Sequence, residues 1–330
     1  MEEQAYVSTG RLPSEQDVRA LVDEAHRRYR PVDVGAVSDV YPALGRVSPA
    51  LFGVCVAAVD GRLHAAGDAE IGFTIMSVAK PFTFALVCDV LGPDEVQRRV
   101  GVNATGLPFN SLEAIEQAED GRTNPMVNPG AIATASHAPG ASAEEKWRFV
   151  RGGLSAFAGR ELELDDEVLA SASATNHRNR ELAAALAHRG RLGCDPADAV
   201  DVYTRQSCLA VTVRDLAAMG ATLADGGVNP LTGERVVSAE ACRYTLTVMT
   251  TAGLYETSGD WLYDVGLPAK SGIGGGIVTV SPGKGGLATF SPPLDAAGNS
   301  VRGQLAARFL SRRLGLDLFA SSSAASSARG

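Results

Sequence analysis

The chain switches between two spacings of apolar residues, and the switch outlines a fold. Over residues 14–30, Val18, Leu21, Val22 and Ala25 share one face of a 3.6-residue period, which predicts an opening helix with Ser14 as its N-cap. Residues 51–59 are a short, nearly unbroken apolar run of the buried-strand kind. Asp60-Gly61 and then residues 62–66 follow, which together predict a hairpin. From Ser77 to about Ala224 the period is mainly helical, as in residues 181–187 and 214–223. Strand patterning returns after Lys270, where 277–280 and 287–290 flank Gly283-Lys284-Gly285-Gly286 as a second hairpin, and residues 300–314 predict a last helix.

Strands, then helices, then strands, then a helix is an α+β order. Its simplest closure is one antiparallel sheet built from both ends of the chain and flanked by helices, with a helical domain inserted between them. The early hairpin argues against a wholly parallel nucleotide-binding sheet. The expected division is a flexible N-terminus (1–13), a discontinuous α/β sheet domain (14–84 and 225–319), a helical domain (85–224) and a disordered Ala/Ser tail (320–330).

Composition narrows the function classes. Of 330 residues, 45 % are apolar and 21 % charged, enough to bury a sizeable core, and the formal net charge is −8. That balance disfavours a nucleic-acid partner, which needs clustered Lys and Arg. No segment approaches the ~20 apolar residues that span a bilayer. Met1-Glu2-Glu3-Gln4 opens without a following apolar stretch, so no secretory signal is expected and the location is expected to be cytoplasmic. Cys55, Cys88, Cys194, Cys208 and Cys242 are scattered and lack C-x-x-C spacing, as buried free thiols would be. The histidines form no H-E-x-x-H pattern, so a catalytic metal is not expected. No cofactor is expected either.

The candidate chemistry lies in Ser77-Val78-Ala79-Lys80-Pro81. Proline is tolerated in a helix's first turn, so Pro81 puts Ser77 at or near a helix N-terminus, and Lys80, three residues on, shares its face. A serine hydroxyl needs a base to attack an amide, and lysine becomes one only when burial or nearby positive charge lowers its pKa from ~10.4. By itself Ser-x-x-Lys more often means a capping serine and a solvated lysine. Lys270-Ser271-Gly272, just before the C-terminal strands, changes the balance, because S-x-x-K with a later K-[ST]-G is the pairing of penicillin-interacting serine enzymes. The run Gly272-Ile273-Gly274-Gly275-Gly276 precedes a strand and lacks a terminal Gly-Lys-Ser/Thr. It therefore reads as a bulge or close backbone approach, not as a phosphate loop.

Ordered blocks from about residue 41 to 314 resemble the serine-dependent glutaminases of the β-lactamase-like superfamily. They include Tyr41-Pro42-Ala43-Leu44, the Ser77 to Pro81 stretch, Gly106-Leu107-Pro108-Phe109-Asn110-Ser111, Asn124-Pro125-Met126-Val127-Asn128-Pro129-Gly130, Arg178-Asn179, Tyr203 with Cys208, and Gly253-Leu254-Tyr255. Lys270 to Gly276 and Ser291-Pro292-Pro293-Leu294-Asp295 complete the series. The resemblance implies hydrolysis of L-glutamine to L-glutamate and ammonia by a homo-oligomer, a dimer or tetramer. It implies Ser77 as nucleophile, Lys80 as its activator, Tyr203 and Tyr255 as active-site tyrosines, Asn128 and Asn179 as substrate-binding asparagines, and Ile273 as the backbone approaching the substrate. A tyrosine that shared the proton transfer would need nearby cations to lower its pKa from ~10, which Lys80 and Lys270 could supply.

Two positions depart from the family pattern. Met76 stands where it usually has Gln. Ala172 stands where it has a glutamate expected to pair with the substrate's α-amino group, for which Asp165, Asp166 and Glu167 are possible substitutes. The alternatives are an amidase for a related carboxamide without a free α-amine, a penicillin-binding or β-lactamase enzyme, and a non-catalytic relative kept as a binding protein.

Overall fold

The computed structural model of the chain describes residues 10–321. Apart from residues 10–13 and 320–321, the expected flexible N-terminus and Ala/Ser tail lie outside these described residues.

Seven strands are described: β1 (Gly53–Ala58), β2 (Leu63–Gly67), β3 (Phe73–Thr74), β4 (Ala210–Val211), β5 (Ala269–Ser271), β6 (Gly276–Ser281) and β7 (Gly285–Phe290). Five of them form an antiparallel sheet in the order β2-β1-β7-β6-β5, so the two ends of the chain meet where β1 pairs with β7, Ala57 opposite Gly286. Both expected hairpins are present. At the first, Gly61 takes φ +87° and Asp60 accepts from the Arg62 backbone at 3.2 Å, a turn geometry that suits Asp-Gly.

Alternation along the strands sorts side chains to two faces. Val54, Val56, Ile277 and Leu287 meet the helices Glu15–Tyr29 and Val301–Arg313 through Val18, Leu21, Val22 and Leu310. Cys55, Ala57, Val278, Val280 and Ala288 face the larger core under the helix Val213–Ala224. That helix belongs in sequence to the stretch read as helical domain, yet it packs along β1, β6 and β7. A Cβ on Gly286 would sit 2.3 Å from the Ala217 carbonyl oxygen, so glycine is what lets helix and sheet come this close. Ser14 caps the first helix as its position predicts, accepting from the Asp17 backbone N–H at 3.2 Å.

A second, two-stranded sheet pairs β3 with β4, Phe73 opposite Val211 and Thr74 opposite Ala210. It ties the approach to Ser77 onto the segment after Tyr203, and Ile75 N–H continues the tie to the Leu209 carbonyl at 2.9 Å. Four of the cysteines are buried free thiols, while Cys194 is partly exposed. No helix among the described residues is long and apolar enough to cross a membrane.

Candidate active site

Ser77 lies in a 3-10 turn, Met76–Val78, that runs directly into the helix Ala79–Leu91. Met76 is held at φ +49°, and Tyr255, across the same site, at φ +54°. Non-glycine residues rarely adopt this region and do so at a cost of ~1–3 kcal/mol, which the surrounding packing must over-determine. β5 supplies the other side of the turn. A Cβ on Gly272 would lie 3.1 Å from the Ile75 carbonyl oxygen and 3.3 Å from Ser77 N, so the glycine run is a site of close backbone approach, here to the Ser77 turn itself.

Around Ser77 is a cleft of about 130 Å³ whose wall includes Tyr41, Met76, Phe109, Asn128, Asn176, Arg178, Asn179, Tyr203 and Ile273. Larger surface hollows of about 410 and 520 Å³ elsewhere contain none of these groups. Of the residues singled out in the sequence, Ser77, Asn128, Asn179, Tyr203 and Ile273 line the cleft directly. Lys80 lies beneath it, bonded to Asn128, and Tyr255 packs against Phe109 with ring centroids 4.9 Å apart and the planes tilted by 44°.

The Lys80 amine is buried and engaged by Asn128 Oδ1 at 2.7 Å and, more weakly, by the Met126 carbonyl at 3.5 Å. Burial pushes its pKa down to about 7. Lys270, fully buried, donates to the carbonyls of Gly253 and Ser271 at 2.8 and 2.7 Å. Its Nζ lies 4.3 Å from the centre of the Tyr255 ring. Burial, reinforced by the Lys80 charge, holds Lys270 well below the usual lysine range.

The tyrosines move the other way. Burial raises Tyr203 well above its ordinary value and raises Tyr255 as well, against a hydrogen bond to Ser77 that only partly offsets it. Lys80 and Lys270, the cations that could have made a tyrosine acidic, do not: both lysines are driven toward their neutral form, and neutral amines lend a phenol no charge to stabilise its anion. Tyr255 keeps its proton and donates it to the Ser271 carbonyl at 3.2 Å.

A chain of amide hydrogen bonds backs the cleft. Tyr203 and Lys80 both donate to Asn128 Oδ1, at 3.0 and 2.7 Å. Asn128 Nδ2 donates to Asn179 Oδ1 at 3.0 Å, Asn179 Nδ2 to Asn176 Oδ1 at 2.5 Å, and Asn176 Nδ2 to Thr204 Oγ1 at 2.7 Å. Thr204 ends the chain on the Val200 carbonyl at 2.6 Å. Sequence reasoning did not find Asn176 and Thr204, nor the place of Tyr41 in the wall. One signal was available for Asn176, which stands just before the helix His177–His188 where it would read as an N-cap. Its side chain caps nothing there and is spent on Asn179 and Thr204.

Ala172 is 1 % exposed and belongs to an apolar cluster with Met76, Val168 and Cys208, against which Tyr41 and Ile273 pack. The two positions that depart from the family pattern are thus members of one cluster. The acids considered as substitutes for a glutamate at 172 are elsewhere. Asp165 caps its own helix, accepting from Val168 N–H at 2.9 Å, Asp166 is exposed, and Glu167 pairs with Arg46 at the surface.

An antiparallel sheet flanked by helices, with the serine turn against its edge strand, is the β-lactamase-like architecture, and the similarities agree. The sequence profile described as Glutaminase matches residues 35–319. Glutaminase 2 of Yersinia pestis is 64 % identical over 316 residues, covering 96 % of this chain and 93 % of that one. A solved structure described as a probable glutaminase, ybaS, superposes with a TM-score of 0.92 at 42 % identity, covering 94 % of this chain and 100 % of that one. The Bacillus subtilis glutaminase YbgJ, solved as a covalent complex with 5-oxo-L-norleucine, superposes with a TM-score of 0.83 at 31 % identity over 91 % of this chain and 99 % of its own. The chain belongs to the glutaminase family.

Proposed function

We propose that the protein hydrolyses the side-chain carboxamide of L-glutamine to L-glutamate and ammonia through an acyl-enzyme on Ser77. The observation that carries this reading is the buried Lys80 amine, lowered to about 7 and held by Asn128 at the base of the Ser77 cleft. Near neutrality an appreciable fraction of this amine is unprotonated, as a base for a serine hydroxyl must be.

In this reading Ser77 Oγ forms a bond to the carboxamide carbon as Lys80 takes the hydroxyl proton. The oxyanion is met by the backbone N–H groups of Ser77 and Ile273. The C–N bond then breaks as the proton returns to the departing nitrogen, and ammonia leaves. Water attacks the ester, its proton again passing to Lys80 and then to Ser77 Oγ, and glutamate is released. Asn128, Asn179 and Tyr203 hold the substrate, and Tyr255 donates a hydrogen bond without ionising. The sheet unit (14–84 and 225–319) supplies nucleophile and glycine turn, and the helical unit (85–224) the amide wall. The reading carries a homo-oligomer, dimer or tetramer, which light scattering tests, and a cytoplasmic location.

The test uses 6-diazo-5-oxo-L-norleucine, an electrophilic glutamine mimic. A stoichiometric adduct mapped to Ser77 by peptide mass spectrometry, with ammonia release from glutamine lost in step, is the expected result. An adduct at another residue, or ammonia release that survives Ser77→Ala, overturns it.

A further inference from the structure

We infer that the cleft selects carboxamides whose α-position carries no positive charge, so that a deaminated or N-acylated glutamine is a better substrate than glutamine itself. The inference rests on the proposed carboxamide hydrolysis and concerns the opposite end of the substrate. Glutamine presents an α-ammonium, which needs acceptors and is best met by a carboxylate. The described residues that line the cleft include no Asp or Glu, and the charged side chain among them is a cation, Arg178, which pairs with Glu181 at 2.8 Å.

The neutral acceptors are partly spent, and those left to an ammonium carry no charge, among them one lone pair each on Asn179 and Asn176 and the hydroxyls of Tyr41, Thr175 and Ser207. Asn128 Oδ1 takes hydrogens from both Lys80 and Tyr203, Asn179 Oδ1 takes one from Asn128, and Asn176 Oδ1 takes one from Asn179. An amide oxygen has two lone pairs, so the Asn128 oxygen is saturated. Asn128 keeps a second amide hydrogen, which suits the oxygens of a substrate carboxylate or acyl group, while Asn179 is also engaged by the Tyr41 hydroxyl. Ala172 and Met76 are buried together beside the cleft in an apolar cluster that offers an ammonium no carboxylate. A charged group left without its hydrogen-bond partner loses about ten- to hundred-fold in binding.

The experiment compares ammonia release by the wild-type protein from glutamine, from N-acetyl-L-glutamine and from glutaramate, which has hydrogen in place of the amino group. At pH 7, kcat/KM for glutaramate and N-acetylglutamine is expected to exceed that for glutamine by about tenfold or more. The gap narrows as pH rises through the α-amine's own pKa, because glutamine then loses the unpaired charge. In Ala172→Glu the ratio of glutamine to glutaramate rises, a ratio independent of how much of the variant folds. Glutamine turned over as fast as the other two at pH 7, or a ratio that ignores pH, overturns the inference while leaving glutaminase activity standing. Release from none of the three overturns both.

Discussion

Lys80 Nζ sits 2.7 Å from Asn128 Oδ1 in a setting where only 1 % of the lysine meets solvent. The pair explains how a cation is tolerated there, since the amide oxygen offers a dipole and the amine sheds its charge near neutral pH. It also redirects the Ser-x-x-Lys spacing. Helical geometry brings Lys80 to the serine's face, and tertiary packing gives its amine an asparagine as partner.

Activity should follow the neutral form of Lys80. With the amine lowered to about 7, kcat/KM for the amide substrate rises as pH climbs from 6 to 8 and then levels, with an apparent pKa near that value. A pH–rate profile flat across this range would remove Lys80 from the role of base.

The same burial has a cost in stability. Because the folded pKa is lowered to about 7 from the ordinary lysine value, the unfolded chain binds more protons between the two, and rising pH stabilises the fold relative to a chain without the group. Below pH 7 the penalty is present in full. Lys80→Met should therefore lose ~10²–10⁴ in rate while gaining stability at pH 7. Its advantage over wild type in denaturant midpoint shrinks as pH approaches 10. Comparing the two proteins at each pH cancels the buried cysteines and tyrosines, which titrate with the opposite sign.

Asn176 and Thr204 act through Asn179 and Asn128. Asn176→Ala removes two hydrogen bonds in the chain, worth ~1 kcal/mol each, and frees the Asn179 amide to turn. KM should rise about five- to tenfold with kcat changed less, since the disturbed groups hold substrate and do not move protons. Thr204→Val leaves Asn176 bonded to Asn179 and should shift KM less. A variant that lost stability and kcat with KM unchanged would mark Asn176 as structural only.

Two glycines separate site geometry from backbone propensity. At Gly272 a methyl group would meet Val78 Cγ2 at 3.0 Å and Ser77 N at 3.3 Å, so Gly272→Ala displaces the nucleophile turn and lowers kcat more than it lowers Tm. Gly152, inside the helix Ala143–Ala158, has nothing within 4 Å of an added methyl. Gly152→Ala should raise stability by ~0.5–1 kcal/mol and leave kinetics alone. Steady-state kinetics beside thermal melts distinguishes the two effects.

Much of this fold is local and therefore legible. Asp60-Gly61 needs only its own turn geometry, the central strands show as short apolar runs because they are buried on both faces, and Ser14 needs only the N–H three residues on. Met76 to Pro81 states its helix start because proline constrains the backbone by itself. β3 and β4 are two residues each, too short to leave a period, and exist because Phe73 and Val211 are brought together from far apart in the chain.

For the site, sequence determined the chemical inventory and its order: the serine, its lysine, the tyrosines, the asparagines and the glycine turn, together with the apolar residues at 76 and 172. Tertiary structure decided their states. Which oxygen Lys80 finds, that burial lowers both lysines and raises both tyrosines, and that Asn176 serves Asn179 instead of capping its helix all depend on groups far apart in the chain. Residue identity fixes what a side chain can donate or accept, but its pKa and its partner are set by the solvent that packing removes and the neighbours it brings within 3 Å.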